Sequence, residues 1–197
     1  PRCSTRGCAR TPGGRPPRPP RAGVPLSPPQ WNHLDTCLRD HDQTEARRRL
    51  RRAVRWLYAT GLRLSEITSV RCGDLRCVRS GDAVQATWSL CVSGPAGRRR
   101  ELPVPVALVD EWGEELARHG HSREIDAPGN RDIPLLARFD SGRERPQGWS
   151  PSGLYQALKA MLVRAAQSLH GADARRMKIA STHWLRHTHG VHALQGS

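Results

Sequence analysis

Lysine is nearly missing from this chain of 197 residues. Of its 32 basic residues, only Lys159 and Lys178 are lysines, and the rest are arginines. Long apolar runs are missing too, which excludes a transmembrane span and the apolar core of a signal peptide. The six cysteines form no CxxC pair and match no zinc-binding spacing, which favours free thiols in a reducing cytoplasm. Two of them, Cys37 and Cys91, are expected to be small core residues.

Positive charge is what the chain has in excess. Its 32 basic residues face 18 acidic ones, a formal net charge of +14. Six arginines and no acid fall within residues 1–26, so the rest of the chain keeps eight of the surplus charges. Such a surplus favours a polyanionic partner, most simply nucleic acid. The preference for arginine fits phosphate recognition and a GC-rich genome equally well.

Two regions of different composition divide the chain. Residues 1–26 are rich in Pro, Gly and Arg with almost nothing to bury, which is typical of a disordered basic segment. Residues 27–197 are long enough for one domain with a proper core. Because the first residue is proline rather than methionine, we expect a fragment or a processed form.

The pattern after residue 26 predicts an α+β fold, mainly helical, with a small antiparallel three-stranded sheet on one side. Ser27 followed by two prolines is typical of a helix start. Strand patterns lie between residues 72 and 106, the longest from Ala83 to Val92. Further helices are expected at about 44–60, 105–118 and 150–169, and a loop at 171–178.

The second helix has two chemically different faces. Leu50, Val54, Leu57 and Tyr58 recur at helical spacing and predict its buried face. The opposite face is predicted to be exposed and either simply solvated or laid along a DNA backbone; it carries Arg47, Arg48, Arg49, Arg51 and Arg52.

Arg63 lies in the tight connection after this helix, which Gly61 ends. Ser65 is expected to cap a short third helix, with Glu66 in its first turn, where an acid suits the helix dipole. Arg63 is therefore held on a rigid corner. It either reaches a ligand or forms a structural ion pair with Glu66.

A hairpin with a basic tip follows. The turn at residues 93–97 leads into a returning strand that begins with Arg98, Arg99 and Arg100. Such a tip can reach a DNA groove or backbone without disturbing the core.

The closing stretch, residues 181–194, predicts a helix capped by Ser181. His183 and Arg186 are three residues apart and therefore share one face. An imidazole beside a permanent cation suits a phosphate-like group that must be held and protonated. Taken alone, the stretch is better explained as a basic, solvated helix face.

These stretches together resemble the tyrosine recombinases, the phage integrase family. Residues 58–67 (YATGLRLSEI) resemble the family's first signature box, residues 183–188 (HWLRHT) its second, and the hairpin from Gly94 to Pro103 its β-hairpin. The resemblance covers about residues 27–197. It implies a DNA strand-exchange enzyme that needs no metal or cofactor, acts on double-stranded DNA, and works as a homotetramer on paired sites. It also implies a bacterial cytoplasmic location in association with DNA.

The resemblance also implies roles for individual residues. Arg63 and Arg186 match the two arginines that hold the scissile phosphate, since a guanidinium makes paired, charge-assisted bonds to phosphate. His183 matches the histidine that assists proton transfer. A tyrosine then attacks to give a 3′-phosphotyrosyl link. The residues expected to bind DNA around this site are Arg98, Arg99, Arg100 and His187.

Two residues of the family pattern have no match. The hairpin holds no lysine to act as general acid, and the high pKa of arginine makes it a poor proton donor. Neither Tyr58 nor Tyr155 occupies the nucleophile's place, which lies downstream of the second box. We therefore expect a catalytic domain that is incomplete at its C-terminal end and binds DNA without cleaving it.

Two other functions stay open. One is a basic DNA-binding module, derived from a recombinase, that has lost catalysis. The other is a metal site at His183, His187, His189 and His192, since histidines four residues apart on a helix can chelate zinc. No acidic or cysteine ligand lies nearby, and Arg186 would repel a cation, so no metal is expected.

Overall fold

A computed structural model of the chain describes residues 25–40, 44–78, 87–94, 97–139, 146–182, 184–185 and 188. The predicted basic segment at residues 1–26 falls almost wholly outside this set and stays a prediction. The α-helices among the described residues are Pro28–Asp40 (α1), Glu45–Thr60 (α2), Leu64–Ser69 (α3), Val106–Arg118 (α4), Pro151–Ala165 (α5) and Gly171–Ile179 (α6); the strands are Leu75–Val78 (β1), Thr87–Ser93 (β2) and Arg99–Val104 (β3).

The mainly helical α+β architecture with one small antiparallel sheet is confirmed. The sheet order is β1-β2-β3, and Leu90 in the middle strand lies opposite Leu75 and Leu102. The middle strand begins at Thr87; the predicted strand residues 83–86 lie outside the described residues. No helix in the described part of the chain is long and apolar enough to cross a membrane.

Helix ends follow the local chemistry of the sequence. The Ser27 N–H donates to Gln30 Oε1 (3.0 Å) and the Gln30 N–H donates to Ser27 Oγ (3.4 Å), a reciprocal cap that starts α1 as predicted. Gly61 ends α2 with a φ of 61°, and its N–H donates to the Leu57 carbonyl. Ser150 caps α5 by accepting the Gly153 N–H at 3.1 Å.

One apolar core joins the sheet to the helices. Trp56 of α2 and Trp112 of α4 are its largest members, and both are almost fully buried. Trp112 Nε1 donates to Cys72 Sγ at 3.2 Å. Burial raises the pKa of the Cys72 thiol to about 11, so this thiol stays protonated at neutral pH.

The expectation for the cysteines was wrong for Cys91, whereas Cys37 is partly buried and packs against the core. Cys72 is the buried one, whereas Cys37 and Cys91 are only partly buried. Successive side chains of a strand point to opposite faces of the sheet, and the neighbours Leu90 and Val92 occupy the buried face of β2. Cys91 between them therefore lies on the other face.

The expected loop at residues 171–178 is instead helix α6. Met177 is fully buried and fixes this helix on the core, and Asp173 accepts a hydrogen bond of 2.7 Å from Gln30 Nε2 of α1. Ala172 and Ala174 are strong helix formers, and Gly171 opens the helix with a φ of 59°.

The prediction of an exposed arginine face on α2 was wrong for Arg49 and Arg52, whereas the other three arginines of that face are partly exposed. Arg49 is buried; its Nε donates to the Leu136 carbonyl at 2.8 Å and its guanidinium lies 4.2 Å from the Trp149 ring. Arg52 lies 4.2 Å from the Trp112 ring. The segment around Leu136 packs across this face of α2 and supplies carbonyl acceptors for it, an arrangement that the period of α2 does not reveal.

Arg49→Met should lower the free energy of unfolding by about 2–3 kcal/mol, because a buried charge-assisted hydrogen bond is lost and the Leu136 carbonyl is left without its donor. Urea unfolding followed by circular dichroism measures the change. The matched control is Arg175→Met on the exposed surface of α6, expected to shift stability by less than about 0.5 kcal/mol. Equal stability of the two variants would contradict a structural role for Arg49.

Candidate functional site

Arg63 lies where α2 turns into α3, and the core holds the backbone on both sides of it. Leu62 and Ile67 are almost fully buried, whereas 49% of the Arg63 side chain is exposed. Ser65 does not cap α3, because the helix already begins at Leu64. Instead, the carboxylate of Glu66 accepts the backbone N–H of Arg63 at 2.7 Å.

Glu66 is the centre of a charged cluster that includes Arg63 and Arg100. Its side chain is only 6% exposed. Arg100 Nη1 donates to Oε1 at 2.9 Å and Arg100 Nη2 donates to Oε2 at 2.8 Å, the bidentate geometry of the strongest ion pairs. Arg63 Nη1 lies 3.4 Å from Oε1. The ion pair between Arg63 and Glu66, one of the two interpretations of Arg63, is therefore present.

Burial by itself would raise the pKa of Glu66. The hydrogen bonds from the Arg100 side chain and the Arg63 backbone, together with both guanidinium charges, outweigh burial and lower the pKa below its ordinary value. In return, the hydrogen bond to Glu66 raises the pKa of Arg100. The cluster therefore carries two positive charges and one negative charge at neutral pH.

The three arginines at the hairpin tip are not equivalent. Arg98 and Arg99 are exposed, and within the described residues their side chains make no hydrogen bond or ion pair. Arg100 is 34% exposed and bound to Glu66. The Gly94 N–H donates to the Arg98 carbonyl at 2.7 Å and closes the hairpin; residues 95–96 lie outside the described set.

The closing stretch is helical at its described positions, residues 182, 184, 185 and 188. Leu185 and Thr188 are buried. Thr188 Oγ1 donates to the Trp184 carbonyl at 2.8 Å and accepts the Leu26 N–H at 2.9 Å, so this stretch is tied to the residue just before α1. The predicted site residues His183, Arg186 and His187 lie outside the described residues, and their roles stay predictions.

Lys159 binds the C-terminal end of α6, which leads into the closing stretch. Its Nζ donates to the carbonyls of Lys178 and Ala180, both at 2.9 Å. These carbonyls lie at the C-terminal end of α6, where a cation also suits the helix dipole. Sequence reasoning missed this contact, as it missed the pair between Arg100 and Glu66, because the partners are distant in sequence and no local pattern marks them.

Metal binding has no candidate in the described part of the chain, where no three His, Cys, Asp or Glu side chains come together. The four histidines of the metal alternative, His183, His187, His189 and His192, lie outside that part.

The two tyrosines of the chain have different surroundings. Tyr58 stacks on Trp31 with ring centroids 3.7 Å apart, and Tyr155 is exposed on α5.

Three solved structures, of two recombinases and an integrase, have a fold similar to that of this chain. The XerH site-specific recombinase bound to its difH substrate shares 15% identity at a TM-score of 0.58, covering 89% of this chain and 44% of that chain. The XerA recombinase shares 18% identity at 0.53, with coverage of 93% and 53%. The Tn1549 transposon integrase in complex with transposon right end DNA shares 13% identity at 0.55, with coverage of 88% and 54%.

The similarity to these structures establishes the fold, and the chain spans about half the length of each of them. No protein-family model and no curated protein matches the sequence. What the chain shares with site-specific recombinases is therefore the arrangement of helices around a small sheet.

Glu66→Gln should lower the free energy of unfolding at pH 7 by about 2–3 kcal/mol, because it removes the buried charge that Arg63 and Arg100 share. The pKa of Glu66 is lower in the folded state than in the unfolded state. The stabilisation that ionised Glu66 gives the fold is therefore fully present at pH values above 4.5, the ordinary pKa of the group. It disappears as the pH falls through the lower pKa of the folded state. The deficit of the variant should shrink below about pH 4.

Urea unfolding at pH 7, 4 and 3 tests this. Glu101→Gln, at an exposed position of the same strand as Arg100, is the control and should change stability by less than about 0.5 kcal/mol. A deficit of Glu66→Gln that stays constant from pH 7 to pH 3 would show that its charge is not the cause.

Proposed function

We propose that this chain binds double-stranded DNA through the corner that carries Arg63, and that its longer parent performs site-specific recombination. The reaction would cleave and rejoin strands through a 3′-phosphotyrosyl intermediate. The observation that carries this proposal is the half-exposed guanidinium of Arg63 on a core-anchored corner, in a fold shared with DNA recombinases.

The chemistry of the corner supports phosphate binding. The guanidinium of Arg63 makes a single contact with Glu66, from one Nη at 3.4 Å. Its other N–H groups can therefore donate to a ligand. In the proposed complex Arg63 and Arg186 hold the non-bridging oxygens of one phosphate, and His183 moves a proton to or from the attacking oxygen. Permanently charged guanidiniums suit this task, because negative charge grows on those oxygens as the phosphorane forms.

The exposed arginines of the hairpin would add backbone contacts. We propose that Arg98 and Arg99 bind neighbouring phosphates, while Arg100 positions the hairpin through Glu66. His187 is proposed to contact the same strand. Contacts of this kind fix the register of a protein on a duplex but carry no sequence information.

We assign the nucleophile's role to neither tyrosine of this chain. The ring of Tyr58 is stacked on Trp31, and Tyr155 is on a helix upstream of the second signature box. The parent is proposed to supply a tyrosine and to act as a homotetramer on paired DNA sites.

A second candidate function is a recombinase-derived module that binds DNA without catalysis. The hairpin favours it, because it holds no lysine that could protonate a leaving group. Both functions require DNA binding by this chain, and they differ in whether the parent forms a covalent intermediate.

Binding to a fluorescein-labelled duplex, followed by anisotropy from about 50 to 200 mM salt, tests the shared step. Arg98→Gln with Arg99→Gln should weaken binding and reduce the slope of log K against log salt by about 2, one unit for each lost phosphate contact. Arg63→Gln should weaken binding as well. The charge-matched control is Arg175→Gln with Arg176→Gln on α6. If the control pair loses as much affinity, binding is diffuse attraction to net charge and the assigned surface is wrong.

A nicked suicide duplex separates the two functions, because the nicked fragment diffuses away and traps a phosphotyrosyl adduct. We expect no adduct on a denaturing gel with this chain, and an Arg63-dependent adduct with the parent. An adduct on Tyr58 or Tyr155 would overturn the assignment of the nucleophile. A parent that binds DNA but never forms an adduct would favour the non-catalytic module.

A further inference from the structure

A second basic site lies in a cleft between α2 and α4, which we call the α2–α4 cleft. Its volume is about 530 Å³, within the range of small-molecule sites. Leu38, Trp56 and Leu108 contribute to its lining. Its charged lining consists of Arg47, Arg48, Arg51, Arg52, Arg118, Glu111, Glu114 and Glu115.

The cleft is distinct from the corner at Arg63. Arg47 lies in the first turn of α2 and Arg63 beyond its last turn. At a rise of about 1.5 Å per residue, the helix between them spans roughly 20 Å, and Arg52, the cleft arginine nearest to the corner along the chain, is still roughly 12 Å of helix from Thr60. A ligand in the cleft would therefore not occupy the proposed phosphate site.

Each carboxylate of the cleft already has a cationic partner. Glu111 pairs with Arg55, and Glu114 pairs with Arg123 at 3.6 Å. Both carboxylates still line the cleft, so its five arginines and three glutamates carry a net charge of +2.

Glu115 is buried and surrounded by several cations. Arg48 and Arg52 lie 3.6 and 3.8 Å from its Oε1, and Arg118 pairs with its Oε2. His119 Nε2 lies 3.6 Å from the same carboxylate. Three arginines therefore face one negative charge, which leaves a local surplus of two positive charges.

Arg47 and Arg51 add to this surplus, because neither has a carboxylate within ion-pair distance in the described part of the chain. They are four residues apart on α2 and therefore project from adjacent turns of one face. The Nε atoms of Arg51 and Arg52 are buried without a hydrogen-bond partner among the described residues. Buried donors in native proteins are normally satisfied, and the only unpaired buried carboxylate oxygen among the described residues near them, Glu115 Oε1, is shared between Arg48 and Arg52 at 3.6 and 3.8 Å.

Burial also lowers the pKa of Arg52 to about 10, although the charge of Glu115 acts in the opposite direction. The group stays charged at neutral pH, with its charge only partly compensated.

We propose that the α2–α4 cleft binds a compact polyphosphate, such as inorganic tripolyphosphate or the triphosphate group of a nucleoside triphosphate. Adjacent phosphates would neutralise the surplus charge and would accept hydrogen bonds from Arg47 and Arg51 on the wall. The cleft is concave, and only 10% of the Arg52 side chain is exposed. A small anion can reach such a side chain more easily than the backbone of a DNA duplex can.

Isothermal titration calorimetry at about 150 mM salt tests the site with tripolyphosphate, ATP and a short duplex DNA as separate probes. We expect one tripolyphosphate per chain, and at least a tenfold loss of affinity in Arg47→Gln with Arg51→Gln. The control pair Arg175→Gln with Arg176→Gln removes the same charge from the exposed surface of α6 and should bind as the unmodified chain does. Circular dichroism melts establish that both variants are folded.

The three probes separate the sources of phosphate. Equal affinities for tripolyphosphate and ATP mean that the phosphate chain is recognised alone, and a tighter ATP complex adds a contact to the nucleoside. Absence of saturable binding, or equal losses in the two double variants, would overturn the proposal. So would duplex DNA that displaces tripolyphosphate and loses affinity with Arg47→Gln and Arg51→Gln to the same degree, because the cleft would then be a DNA surface.

Discussion

The carboxylate of Glu66 fixes the relation between the corner at Arg63 and the sheet. It accepts the backbone of that corner and, through Arg100, holds the returning strand of the hairpin. An exposed ion pair contributes only about 0–1 kcal/mol, because water competes for both partners. At 6% exposure Glu66 is largely removed from water, so its desolvation must be offset by good geometry, which the bidentate bond from Arg100 supplies. The arrangement of the basic surface therefore depends on one buried acid.

Glu115 of α4 plays the same part for α2, since Arg48 and Arg52 of that helix both lie near its carboxylate. The contacts of the buried arginines also show why arginine suits this fold. Arg49 and Arg52 both lie over indole rings while donating hydrogen bonds to carbonyls from their edges. A planar guanidinium can do both at once, whereas a compact ammonium group cannot. The scarcity of lysine thus has a structural contribution, beside phosphate recognition and genome composition.

Features set by neighbours in sequence were predictable, and those set by tertiary contacts were not. Ser27 and Gly61 mark helix ends through hydrogen bonds that span three or four residues, so the sequence predicts them. The burial of Arg49 depends on the carbonyl of Leu136, 87 residues away, and Arg100 meets Glu66 across 34 residues. Of the candidate site, sequence reasoning could therefore predict Arg63 and its pair with Glu66, which lies one helical turn away, but could not predict that Arg100 shares the same acid.

Arg63 and Arg100 differ in how firmly Glu66 holds their guanidinium groups, which matters for the proposed binding of a phosphate. Arg100 commits two nitrogens to Glu66 at 2.8 and 2.9 Å, so a ligand would have to compete with a short bidentate pair. Arg63 makes a single contact at 3.4 Å and is about half exposed. Its backbone, by contrast, is fixed by the Glu66 carboxylate and by the buried side chains of Leu62 and Ile67. A fixed backbone with a loosely held guanidinium lowers the entropic cost of binding without using up the hydrogen bonds that binding requires. Glu66 thus binds Arg100 through two short hydrogen bonds and Arg63 through one longer contact, so in the proposed DNA complex Arg63 is the more available of the two guanidiniums.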